Sequence, residues 1–222
     1  MVENLDIHHH TVTIQDVSIE LEMVRDMDAI IDYYAEQHSD NIDMIPYYAE
    51  LWPSALALAK YILEPVHCLR GKHIIELGCG LGLPSLVAAG KGASVIATDF
   101  HPHNEKFLKR NIALNNISRI SYQVLSWALP PKNSSYDLVM GSDLLYEERN
   151  IDILVSCADC LCAEHGKIII ADPGRRHFQT AVSQFKKRGF DDALIPVDDI
   201  FIIELTRTAE SEERQGSCGK NK

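Results

Sequence analysis

The chain has 222 residues, 46% of them hydrophobic and 24% charged, which is enough to bury one sizeable core in a single domain with edge embellishments. A formal net charge of -11 offers no broad cationic surface to a phosphate backbone or an anionic bilayer, so a long nucleic-acid substrate is disfavoured while a basic partner is not. No stretch approaches the roughly 20 apolar residues of a membrane span. No secretory signal or Arg-rich transit peptide is readable ahead of Arg25, and the six cysteines are too scattered for a disulfide framework, so the expected compartment is reducing and cytoplasmic.

In chain order, Thr11 to Val24 alternates imperfectly around Asp16-Val17-Ser18 and predicts a short hairpin, followed by a helix over Met27 to Gln37. These elements form an N-terminal extension, residues 1–45. The main domain is expected over 46–208 and opens with a largely buried helix, Glu50 to Leu63, whose Pro53 suits a helix start. After Gly71 the text alternates apolar strands with amphipathic helices. Strands are predicted at His73–Leu77, Ser94–Thr98, Ile120–Val124, Asp137–Met140 and Lys167–Ala171, with helices at Pro84–Lys91, His103–Asn115, Asn150–Ala163 and His177–Arg188. Such alternation implies an α/β fold with a parallel, helix-covered sheet. Two further strands, Asp192–Ile195 and Phe201–Thr206, have no helix between them and are expected to pair as an antiparallel hairpin. Residues 209–222 are polar and read as a disordered tail.

The strongest local signal is IIELGCGLG over Ile74 to Gly82, an apolar strand running into Gly78, Gly80 and Gly82 and then a helix. Glycines at the end of a first strand let backbone approach a ligand closely. Leu83 stands where a dinucleotide fingerprint would place its third glycine, so a pyrophosphate ligand is disfavoured. Glu76, just ahead of the loop, suits a cationic amino-acid group, directly or through water. Asp99 ends the second strand of the domain and can accept from ribose hydroxyls, with a helix cap near Pro102 as its bland alternative.

These residues resemble the class I, seven-stranded S-adenosylmethionine-dependent methyltransferases, whose E-x-G-x-G-x-G loop and acidic second strand end match Glu76 to Gly82 and Asp99. Within that class, Ser126-Trp127 and Asp143-Leu-Leu-Tyr146 resemble the D-x-x-Y protein methyltransferases called family 16. Tyr47 to Pro53 is similar to that group's cofactor-lid segment, and Asp172-Pro-Gly-Arg175 resembles an element of its electron-transfer-flavoprotein lysine methyltransferase branch.

The resemblance implies a Rossmann-like sheet and S-adenosylmethionine as cofactor. It implies that Trp52 covers the cofactor, that Gly78, Gly80 and Gly82 hold its amino-acid end, and that Asp99 and Phe100 take the ribose and an adenine face. Trp127 would border the adenine with Ser126 nearby, and Ser142 would complete the cofactor side. Relatives often carry Asp or Asn where Ser126 stands, which leaves adenine recognition there open, and plain core packing is the alternative for both tryptophans.

Asp143 and Tyr146 are the implied catalytic pair, the first holding an incoming ammonium and the second fixing its direction. A helix cap is the bland reading of Asp143. Asp172 and Arg175 are candidates for the acceptor side, or an ion pair closing a loop. The implied acceptor is a protein side-chain amine, lysine first, with histidine and arginine open and a lysine-bearing or basic segment as its setting. A small-molecule N-methyltransferase and a non-catalytic docking module are the competing functions. Cys157, Cys160 and Cys162 lack a second metal-spaced pair, and His8 to His10 is a run too short for a deliberate tag that could bind adventitious metal at most, so no metal is expected.

Overall fold

The computed structural model describes residues 6–37, 45–132 and 134–208, so the tail predicted over 209–222 lies outside the described residues. The chain opens with an antiparallel hairpin, β1 (Ile7–Ile14) and β2 (Val17–Val24), then α1 (Met27–Gln37). The hairpin begins earlier than its alternation suggested, because His8 to His10 pair with Met23 to Leu21. Its turn is Gln15-Asp16 rather than the Asp-Val-Ser stretch, with Gln15 in the left-handed region at φ 54°.

The domain proper runs α2 (Pro53–Leu63), β3 (His73–Leu77), α3 (Leu83–Gly90), β4 (Ser94–Asp99), α4 (Asn104–Leu114), β5 (Ile120–Val124) and β6 (Tyr136–Ser142). It closes with α5 (Glu148–Leu161), β7 (Cys162–Asp172), α6 (Phe178–Lys187), β8 (Phe190–Val197) and β9 (Ile200–Arg207). Pro53 sits in the first turn of α2, where its missing N–H costs no helical bond.

The seven-stranded sheet has the order β5-β4-β3-β6-β7-β9-β8. Its first five strands are parallel; β9 inserts antiparallel between β7 and β8. The expected Rossmann-like sheet and closing hairpin are therefore present. Strand β7 starts before the predicted Lys167, since α5 passes directly into extended chain at Cys162.

Strand alternation sorts side chains to two faces of the sheet. Ile74, Met140 and Ile169 join α2, α3 and the β1–β2 hairpin in one core cluster. Ile75, Val139, Ile168 and Ile170 meet α5 and α6 in the other. The hairpin is fixed to α4 by polar bonds as well as apolar packing: the buried Asn111 side chain accepts from Glu22 N at 2.7 Å and donates to Leu81 O at 3.1 Å. Arg110 pairs with Glu22 at 2.6 Å beside it. Strand order reverses between β4–β3 and β6, and the crevice at the carboxyl ends of these strands is where open α/β sheets bind ligands.

Candidate functional site

The glycine loop leaves β3 at this reversal. Gly78 has φ +61°, and a Cβ there would lie 2.6 Å from Leu144 Cδ2, so a side chain would be strained by the backbone and would have to displace the end of Leu144. Gly82, at φ +80°, stands against Leu108 and leads into α3. The loop is thus pressed between the chain segment after β6 and helix α4.

Glu76 lies behind this loop. It is fully buried, and one carboxyl oxygen accepts from the Ser85 backbone N–H at 3.0 Å and from the Ser85 hydroxyl, while the other has no partner. Burial, aided by Asp99 and only partly opposed by the Ser85 bonds, pushes its pKa up to about 8. It braces the first turn of α3. The sequence suggested a cationic amino-acid group as its partner, directly or through water; in this structure the carboxyl meets Ser85.

A second segment covers the loop. A 3-10 turn, Tyr47–Ala49, brings the Tyr48 backbone to 3.5 Å from where a Gly80 side chain would begin. The buried Tyr48 ring packs at 4.6 Å from His101 and 5.6 Å from Phe107. Trp52 donates its ring N–H to Tyr47 O at 2.9 Å, which fixes it at the edge of the cover. Between cover and loop runs a cleft of about 30 Å³, walled by Glu50, Trp52, Ala55, the glycine loop and Ser142. That is far below the roughly 300 Å³ of an ordinary small-molecule site. Glu50 was not singled out from sequence; burial raises its carboxyl pKa, with a smaller contribution from Asp28.

Asp99 closes the other side. Its carboxylate accepts from Gly80 N at 3.1 Å and from His101 N at 3.0 Å. Burial raises its pKa against the stabilising pull of these N–H groups. It therefore braces the glycine loop and the turn into α4, and its carboxylate also takes the Asn104 side chain at the first residue of that helix, whose N-cap is His103. Phe100 follows with its side chain 59% exposed, an aromatic face left open beside the cleft's acidic residue. Trp127 is half-buried against the α5–α6 core, and its ring comes within 3.8 Å of the Gly78 position; Ser126 is half-buried beside it.

The chain after β6 carries the acceptor-side candidates. Asp143 is a non-glycine residue at φ 58°, a sterically unfavourable conformation held by three elements. Its backbone N–H donates to Ala171 O of β7 at 3.0 Å. One carboxylate oxygen accepts from Ser54 N in the first turn of α2 at 3.2 Å, and the other pairs with Arg175 at 2.6 Å. Asp143 does cap a helix terminus, but that of α2, 89 residues away, rather than α5, whose N-cap is Glu147.

Tyr146 is 56% exposed on the same loop. Asp172, expected on the acceptor side, is completely buried and holds the following loop through Gly174 N at 2.9 Å, Arg175 N at 2.7 Å and the Arg175 guanidinium at 2.9 Å. This is the loop-closing ion pair that was the alternative reading of Asp172 and Arg175. Ser54 was missed, and only its place one residue after Pro53 in a helix start hinted at an available backbone donor.

The walls of the cleft fit the implied cofactor. They carry no lysine or arginine to neutralise a pyrophosphate, and they present one carboxylate, Glu50, with Ser142 and the backbone of three glycines. Phe100 exposes an aromatic ring and Asp99 places a carboxylate at the end of β4. Among the described residues no group of three His, Cys, Asp or Glu side chains could hold a metal ion, and no helix is long and apolar enough to cross a membrane.

Comparison with known proteins gives a family model described as lysine methyltransferase, which matches residues 39–187. The electron transfer flavoprotein beta subunit lysine methyltransferase of Danio rerio is 33% identical over 136 residues, covering 60% of this chain and 52% of that protein. The EEF1A lysine methyltransferase 3 of Xenopus tropicalis is 30% identical over 174 residues, covering 72% of this chain and 75% of that protein. The chain spans about half the length of the flavoprotein-directed relatives in fish and frog. Among solved structures, a Thermus thermophilus 16S rRNA N2 G1207 methyltransferase in complex with AdoMet and guanosine superposes with a TM-score of 0.66 at 13% identity, covering 94% of this chain and 52% of that one. That likeness concerns the fold.

Proposed function

We propose, from the premise that this chain belongs to the lysine methyltransferase family, that it transfers a methyl group from S-adenosylmethionine to the side-chain amine of a lysine in a protein. The cofactor supplies a methyl group already activated on a sulfonium, so the protein's contribution is alignment and control of the acceptor's proton. The observation that carries the reading is Asp143. A carboxylate with only 11% of its side chain exposed is fixed at the end of β6, with the glycine loop packed against the next residue, Leu144.

The bond from Ser54 N joins this carboxylate to the helix that begins directly after Trp52 of the cleft wall. Cofactor cover and acceptor carboxylate therefore belong to one braced unit. Gly78 to Gly82, Ser142 and Trp52 would hold the amino-acid end, with Asp99 and Phe100 toward the ribose and adenine. Asp143 would orient the amine, and Tyr146 would guide its approach from the exposed side of the loop. The acceptor nitrogen gives its proton to water and then offers its lone pair. The net charge of -11 favours a lysine in a basic segment.

The test is incorporation of labelled methyl into cell protein, followed by amino-acid analysis. Methyllysine is expected, and Asp143→Ala should lower its formation roughly a hundredfold while leaving affinity for S-adenosylhomocysteine within a few fold. Label confined to methylarginine, methylhistidine or free small amines overturns the lysine assignment, and wild-type turnover by the Asp143 variant overturns its role.

A further inference from the structure

Arg175 occupies a position that the proposed reaction does not yet use. Its two terminal nitrogens reach different carboxylates: one meets Asp143 at 2.6 Å, the other Asp172 at 2.9 Å. Asp172 is completely buried and Asp143 nearly so, while 29% of the Arg175 side chain remains exposed. A planar guanidinium can bridge two carboxylates in this way, which the point charge of a lysine cannot. The corner therefore carries two negative charges and one positive charge, whereas Asp143 and Asp172 alone would carry two uncompensated negatives.

That difference matters for an amine acceptor. A doubly anionic corner would attract the alkylammonium and hold its proton; only the neutral amine has a lone pair to react. We propose that Arg175 is a positioning residue, acting through Asp143: its guanidinium fixes the strained aspartate and keeps the acceptor site less anionic, so that a lysine ammonium held there gives up its proton to water more readily. This rests on the reading of the chain as a methyltransferase of lysine amines.

The other charged groups on the surrounding elements are compatible with it. Glu147 and Arg149 pair at 2.5 Å on the α5 side, and Glu148 meets Arg176 at 3.6 Å, so each carboxylate there has its own cation. His177 is buried at the start of α6, and Glu50 lies on the segment before α2.

Arg175→Gln removes the charge, and Arg175→Lys keeps it while losing the two-armed geometry. Both are expected to fold, because Asp172 retains the backbone N–H groups of Gly174 and Arg175. Two readouts separate charge from mere structure. The first is calorimetric affinity of the S-adenosylhomocysteine complex for n-butylammonium at pH 7, which needs no turnover. Arg175→Gln should bind it roughly tenfold more tightly than wild type, with Arg175→Lys close to wild type.

The second is the pH profile of single-turnover methylation of a lysine-bearing protein. Its midpoint should rise by roughly one pH unit in Arg175→Gln and stay in place in Arg175→Lys, whose rate falls without a shift. Equal n-butylammonium affinity in wild type and Arg175→Gln, or an unmoved midpoint, overturns the proposal. Failure of the wild type itself to methylate lysine, with the expected order of n-butylammonium affinities intact, would refute the lysine methyltransferase reading and leave the electrostatic role of Arg175 standing.

Discussion

Replacing Glu76 with Gln tests whether this carboxyl braces the glycine loop in neutral form or serves the cofactor as a charge. Its folded pKa is raised to about 8 from an ordinary value of 4.5, chiefly by burial. The folded state then holds a proton that the unfolded chain has released at any pH between those values. Stability associated with this group is complete below pH 4.5 and is lost as pH rises through about 8. At about 1.4 kcal/mol per pH unit, the loss across that window is at most about 5 kcal/mol. Gln keeps the size and can still accept from the Ser85 N–H and hydroxyl, but it does not titrate.

Urea unfolding at pH 5 and at pH 8.5 measures the difference. The wild type should lose several kcal/mol more than Glu76→Gln between the two conditions, and the variant's affinity for S-adenosylhomocysteine should change less than about threefold, since no buried charge is removed. Parallel pH dependence in the two proteins would refute the assignment of a neutral Glu76. A tenfold or greater loss of affinity would restore the charged role that the sequence suggested.

Asp99→Ala removes the acceptor that holds Gly80 N and His101 N, and it should weaken S-adenosylhomocysteine binding by roughly 1–3 kcal/mol; unchanged affinity by calorimetry would count against the ribose assignment. Asn111→Ala leaves Glu22 N and Leu81 O without their buried partner and should cost about 2–4 kcal/mol in denaturant unfolding. A cost below about 0.5 kcal/mol would mean that the hairpin is held by apolar packing alone. Gly78→Ala must adopt φ near +61° and meet Leu144, so about 1–2 kcal/mol of backbone strain adds to about 1–3 kcal/mol of overpacking. Its melting temperature should fall accordingly, and an unchanged value would show that Leu144 has another place to go.

Much of this molecule follows from the amino-acid sequence by itself. Apolar runs of five or six residues punctuated by helical periods fixed the parallel strands, since a chain buried on both sides of a sheet has few other patterns available. The left-handed turn at Gly78, Gly80 and Gly82 was legible because three glycines follow an apolar strand and glycine adopts that backbone without strain, and Asp99 stood out as an acidic residue at a strand end. The insertion of β9 between β7 and β8 was decided by tertiary structure, because a hairpin's own residues do not say which of its two strands meets the sheet.

The same holds for the polar side chains. Glu76 stands just ahead of the loop in sequence, but the fold buries its carboxyl against Ser85, and between the two readings open for Asp172 the fold forms the loop-closing pair with Arg175. Asp143 caps a helix 89 residues away, and one guanidinium spans two carboxylates. Sequence spacing names the groups that can carry charge, but burial and long-range partners set which of them keep it and what they face.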